Sequence, residues 1–135
     1  MLIHLKRGER VYINGAVLRV DRRASLEVLN NVDFLLENHV IQAEDATTPF
    51  RQLYFVVQTM LIDPDTAGVT QELYKHLSHR MEQNLSSDTL RDALALSGEK
   101  VLKGRYFDAL KALRTAFPGE DALLGRNAFH SGEAA

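Results

Sequence analysis

Apolar and polar residues alternate through the first third of the chain and then change period. "RVYI" and "AVLRV" flank Asn14-Gly15, a pair suited to a two-residue type I′ hairpin turn because both positions need φ > 0. Such a turn sets Ile13 against Ala16, Tyr12 against Val17, Val11 against Leu18 and Arg10 against Arg19. Side chains alternate across a strand, so Val11, Ile13, Ala16, Leu18 and Val20 share one face while Arg10, Tyr12, Val17 and Arg19 share the other. "LIHL" before the hairpin, "LEVL" after it, and "VDFLLE" with "HVI" supply further strands. The pattern predicts a small antiparallel sheet or partial barrel of about five strands.

From "EDATTPF" onward the apolar spacing becomes helical. Thr48 is placed to cap and Pro49 to open a helix that ends before Asp63-Pro64. Phe50, Leu53, Val57 and Met60/Leu61 make one stripe, and Tyr54, Phe55 and Ile62 spread apolar surface around most of the circumference, which predicts burial on more than one side. In "AGVTQELYKHLSHRMEQNL", Val69, Leu73, Leu77 and Met81 form the expected stripe. Ser86/Ser87 begin the next helix, with Leu90, Leu94, Ser97 and Val101 facing inward, and Gly104 closes it. Tyr106, Leu110, Leu113 and Phe117 mark the last helix. "PGE" at Pro118 ends the periodicity.

These elements predict an α+β fold, a small N-terminal antiparallel β-sheet or partial barrel packed on a C-terminal helical part of about four helices. Residues 1–45 form a β-rich lobe with the basic hairpin, residues 46–117 a helical lobe sharing one core with it, and residues 118–135 a flexible tail.

With 135 residues, 45% apolar and 25% charged, the composition is that of a globular domain. The absence of cysteine excludes disulfides, thiol catalysis and Cys-based metal sites. The longest apolar run, "LYFVVQTMLI", is half the length of a membrane span, and "MLIHLKRGER" lacks the layout of a secretory signal, so a cytoplasmic protein with no membrane partner is expected. The net charge of -2 hides an asymmetry. Residues 1–23 hold six Lys/Arg against two acids, a local +4, and the remainder holds 10 against 16.

No phosphate-binding, dinucleotide-binding, metalloprotease or nucleophile-elbow motif is present. His76 and His79 share a helical face without a third ligand, and no metal or other cofactor is expected. Glu44-Asp45, Asp63/Asp65 and Glu120-Asp121 each flank a helix end or turn, where acids favour the dipole. A non-enzymatic protein is the expectation. The hairpin carries the candidate chemistry. Arg10 faces Arg19 as a like-charge pair, with Lys6, Arg7, Arg22 and Arg23 nearby and Tyr12 between them as a stacking surface, an arrangement suited to single-stranded RNA. A bland alternative pairs these arginines with Glu9, Asp21 or Glu27.

"LKRGERVYINGAV", the "RR" before a strand, "TPFRQLYFVVQTMLIDP" and the late "GRYFDALKALR" together resemble the FlbT family of flagellum biosynthesis regulators, up to about residue 117. The resemblance rests most on "NGAV" and on Thr48, Pro49, Arg51, Tyr54, Phe55, Gln58, Ile62, Asp63 and Pro64. Arg7 stands where the family pattern leads one to expect proline. The resemblance implies a post-transcriptional regulator acting on the 5′ untranslated leader of flagellin messenger RNA, coupling flagellin synthesis to flagellar assembly, with a small partner, FlaF. The sign of regulation does not transfer. The rival expectation is an adaptor or chaperone-like factor that binds FlaF or flagellin through Arg51, Tyr54, Phe55, Gln58 and Ile62, and affects the messenger indirectly. The oligomeric state is open.

Overall fold

The computed structural model describes residues 1–130. Asn14 and Gly15 take φ of 49° and 83°, the left-handed conformations a type I′ turn demands. They join β2 (Arg10–Ile13) to β3 (Ala16–Arg19) in the expected register, with Arg10 opposite Arg19 and Tyr12 opposite Val17. That register persists beyond the hairpin. β1 (Leu2–Leu5) pairs antiparallel with β4 (Ala24–Glu27), and partners in both ladders have numbers that sum to 29. The first four strands are therefore one long hairpin with a bend in its middle. At the bend the Gly8 N–H donates to the Val20 carbonyl and the Val20 N–H donates to the Glu9 carbonyl, so two residues oppose one in a bulge, with Gly8 at φ 82°.

β5 (Phe34–Leu36) adds to the far side of β2, giving a two-stranded sheet (β1, β4) and a three-stranded one (β3-β2-β5) rather than one sheet of five. No strand forms at "HVI". Glu37–His39 is instead a 3-10 turn, and the Gln58 side chain takes both backbone groups of Ile41 that a neighbouring strand would have used.

Four helices follow. α1 (Pro49–Ile62) starts where Thr48 Oγ1 accepts from the Arg51 N–H at 3.3 Å and stops at Asp63 before Pro64. It is the centre of the molecule, with Phe50, Leu53, Tyr54, Val57 and Met60 fully enclosed, packed against α2 (Ala67–Asn84) and α4 (Tyr106–His130). α3 (Asp88–Leu102) is capped by Ser87 and buries Leu90, Leu94, Ser97 and Val101 as the spacing required. Ser97 and Tyr74 share a buried 2.6 Å hydrogen bond.

Two sequence expectations change. α2 buries Thr70 and Tyr74, while Val69 and Leu73 are exposed, 78% and 44%; the stripe through Leu77 and Met81 continues one position round the helix. α4 does not end at Pro118. Pro118 forfeits one helical N–H, yet the helix runs on to His130, because Glu120 beyond it is buried and tied to α1. Residues 118–130, expected as part of a flexible tail, continue α4 as helix, and residues 131–135 lie outside the described residues.

Two apolar clusters hold the lobes. The larger surrounds α1; the smaller joins Ile3, Leu5, Val11 and Phe34. Alternation along β5 sends Phe34 into one and Leu35 into the other. α4 reaches the β lobe at its first turn, where Phe107 stacks on Phe34 with ring centroids 4.5 Å apart and its N–H donates to Asp33 Oδ1. Burial pushes the Asp33 carboxyl up, opposed by backbone donors at Phe107 and Tyr106. Among the described residues no helix is long and apolar enough to cross a membrane.

Candidate nucleic-acid interface

The bend brings the cations together. Lys6 and Arg7 leave β1 beside Arg22 and Arg23, which lead into β4, because the two strand segments cross the bulge side by side. Arg10 and Arg19 follow on the hairpin, and all six side chains are exposed. Only one of the expected acids, Asp21, pairs with an arginine, and Arg10 takes a partner that was not expected. Arg10 pairs with Glu37, which lies 3.8 Å from its Nε and also accepts from its backbone N–H. Glu37 is in position because the 3-10 turn follows β5, the strand beside β2. Arg22 pairs with Asp21 at 3.5 Å, with both groups over four-fifths exposed, a contact of little worth in water. Glu9 accepts from the Lys6 backbone N–H at 2.6 Å. Among the described residues Lys6, Arg7, Arg19 and Arg23 have no acidic partner.

Tyr12 departs from its expected role. It lies opposite Leu35 of β5 and is half-buried against the large cluster around α1, so only part of its ring is open to a base. Arg10, Val17 and Arg19 on the same face remain exposed. The hairpin thus presents a cationic rim whose aromatic member is partly covered.

The residues expected to form a partner surface on α1 are mostly engaged inside the protein. Tyr54 is fully buried; its hydroxyl donates to the His39 carbonyl at 2.5 Å and accepts from Arg114 at 3.0 Å. Gln58, 4% exposed, holds Ile41 from both sides at 2.9 and 2.8 Å. Arg51 makes a bidentate pair with Asp121 (2.7 and 2.9 Å), lies 3.6 Å from Glu120 and stands over the Phe117 ring at 4.5 Å. Asp121 holds the Arg51 guanidinium above its ordinary value and is itself held below its own by that guanidinium. Tyr54 and Gln58 therefore cannot belong to an open surface; Phe55 and Ile62 remain half-exposed.

One histidine in this frame is shifted by its surroundings. Burial, reinforced by the Arg114 charge, holds the His39 imidazole below its ordinary value of 6.5. The folded state then binds fewer protons than the unfolded state, so the stability present above the ordinary histidine range is lost as pH falls through it. His39→Gln should flatten the dependence of Tm on pH as pH falls below the ordinary histidine value of about 6.5, measured by calorimetry. An unchanged profile would assign the titration elsewhere. His76 and His79 on α2 gain no further ligand, and the described residues hold no group of three or more His, Cys, Asp or Glu able to bind a metal.

Residues 1–124 match the family model described as "Flagellar protein FlbT". The chain belongs to the FlbT family. It is similar to proteins called "Probable flagellum biosynthesis repressor protein FlbT" from three organisms. That of Allorhizobium ampelinum is 49% identical over 122 residues, covering 90% of this chain and 82% of the relative. That of Brucella anthropi is 47% identical over 123 residues, covering 91% and 81%, and that of Chelativorans sp. is 45% identical over 122 residues, covering 90% and 84%. No solved structure matches the chain significantly. In this FlbT chain the pattern from Thr48 to Pro64 is a structural frame. Thr48 caps α1, Arg51 ties it to α4, Tyr54 and Gln58 tie it to residues 39 and 41, and Pro64 lies where a Cβ on Gly15 would sit 3.5 Å away.

Proposed function

We propose that this protein is a non-enzymatic regulator of flagellin synthesis that binds the 5′ untranslated leader of flagellin messenger RNA through the cations at the bend of its hairpin. One observation carries the reading: Lys6, Arg7, Arg19 and Arg23 are exposed around the bend of the hairpin without an acidic partner among the described residues, joined by Arg22. Phosphates would relieve their mutual repulsion and release counterions, which is the main source of affinity for nucleic acid. With Tyr12 recessed, the rim contacts phosphates rather than bases, so it supplies grip more than sequence discrimination. The names of the relatives support a role in flagellum biosynthesis, exerted as repression.

A leader RNA titrated against the full chain should lose affinity with log salt at a slope of roughly -3 to -4, as about five single-strand phosphate contacts require. Arg19→Glu combined with Arg23→Glu should weaken binding about a hundredfold while leaving the melting temperature within a degree or two, since both side chains are exposed. Unchanged binding by the folded double variant would overturn the reading. An adaptor acting through FlaF or flagellin would have to use a surface other than the buried part of α1, and pull-downs that survive nuclease would favour it.

A further inference from the structure

β3 is the outer strand of its sheet, with β2 on one side and no described strand on the other. Hydrogen-bonded pairs alternate with non-bonded ones along an antiparallel ladder. The Val20 N–H donates to Glu9, which sets the bonded pairs of this register at Val20, Leu18 and Ala16. The N–H and C=O groups of Val17 and Arg19 consequently point away from β2, to the open edge. All four β3 residues are exposed, Val17 at 57% and Leu18 at 46%. Such an edge is a template for another strand.

The surrounding charge selects the strand. Arg19 lies on the edge, Arg22 and Arg23 continue from it, and Lys6 and Arg7 flank them across the bend. A second copy would set its own Arg19 against this cluster, a like-charge juxtaposition that disfavours self-pairing. We infer that the β3 edge docks an extended, acidic segment of a partner protein. Main-chain hydrogen bonds run to Val17 and Arg19, and carboxylates of the segment face Arg19, Arg22 and Arg23. The docking stands apart from the RNA reading; only its consequence rests on it, namely that segment and leader compete for Arg19 and Arg23, so a partner that docks releases the messenger.

The probe is a fluorescent peptide of about eight residues alternating Val or Thr with Glu, titrated against the full chain by anisotropy at about 50 mM salt. Saturable binding is expected, with none for the analogue carrying Lys in place of Glu. Val17→Pro removes an N–H that the β2 ladder does not use and should weaken the peptide about tenfold or more. Peptide N-methylated on the edge that meets β3 should lose as much on the unmodified protein, an outcome independent of how the proline variant folds. Leader RNA should bind Val17→Pro as it binds the parent chain, and the acidic peptide should displace it. Equal binding of the N-methylated and parent peptides would overturn the strand, as would no peptide binding up to about 1 mM by a chain that binds RNA. Peptide binding by a chain that does not bind leader RNA would remove the RNA reading and keep the edge.

Discussion

Arg51→Met is expected to lower the unfolding free energy by about 3–5 kcal/mol, a large share of the stability of a domain this size. Arg51 is the counter-charge of Glu120, which is 5% exposed and has one oxygen bonded to the Phe50 N–H at 2.9 Å. The other oxygen, Oε1, has no hydrogen-bond partner among the described residues, and Arg51 Nη1 at 3.6 Å is the cation beside it. Glu120 also meets the positive end of α1, a favourable but smaller effect. Removing the guanidinium leaves a buried carboxylate supported by one N–H and the helix dipole, and also removes the Asp121 pair and the contact with Phe117. Most of the cost is the uncompensated charge, so Glu120→Gln added to Arg51→Met should recover part of it. Urea unfolding followed by circular dichroism measures both. A loss within about 1 kcal/mol for Arg51→Met would mean that Glu120 is hydrated and that the network is a surface ion pair.

The Arg51–Glu120 pair marks the limit of what the chain's pattern reveals. The local half of α1 is legible: Thr48 and Pro49 begin it and Asp63-Pro64 end it because caps and proline act over a few residues. The partners far along the chain, Glu120 and Asp121, are not, since two acids following Pro118-Gly119 look like any acids near a chain bend. Pro118 compounded this, as its local rule predicts an end that tertiary packing overrides. The hairpin register was fully legible because Asn14-Gly15 determines it from within. Which face of the hairpin is open was not, because that depends on β5 and α1 covering Tyr12. The register that sets Arg10 against Arg19 was therefore legible, while the burial of Tyr12 and the partner of Arg10 had to come from the packing.

Gln58→Leu should cost about 2–4 kcal/mol, from one change of nearly constant volume. The Gln58 carboxamide accepts from the Ile41 N–H and donates to its carbonyl, doing for residue 41 what a neighbouring strand would do. Leucine fits the same space and leaves both groups unpaired, each at about 1–3 kcal/mol. Because Ile41 is itself half-buried, water reaches part of the defect and the lower half of the range is expected. The effect should be local before it is global. Residues 37–45 connect the hairpin lobe to α1, and Tyr54 with Gln58 are what hold that connection at His39 and Ile41. Amide exchange at Ile41 should accelerate in Gln58→Leu well below the unfolding transition, while Val11 and Leu18 in the hairpin keep their protection. The Glu37 contact to Arg10 lies at the start of the same connector, so its loosening frees a further cation at the rim. Leader RNA should then bind the variant at least as tightly as the parent chain. Unchanged exchange at Ile41 would show that the carboxamide is not what pins the connector.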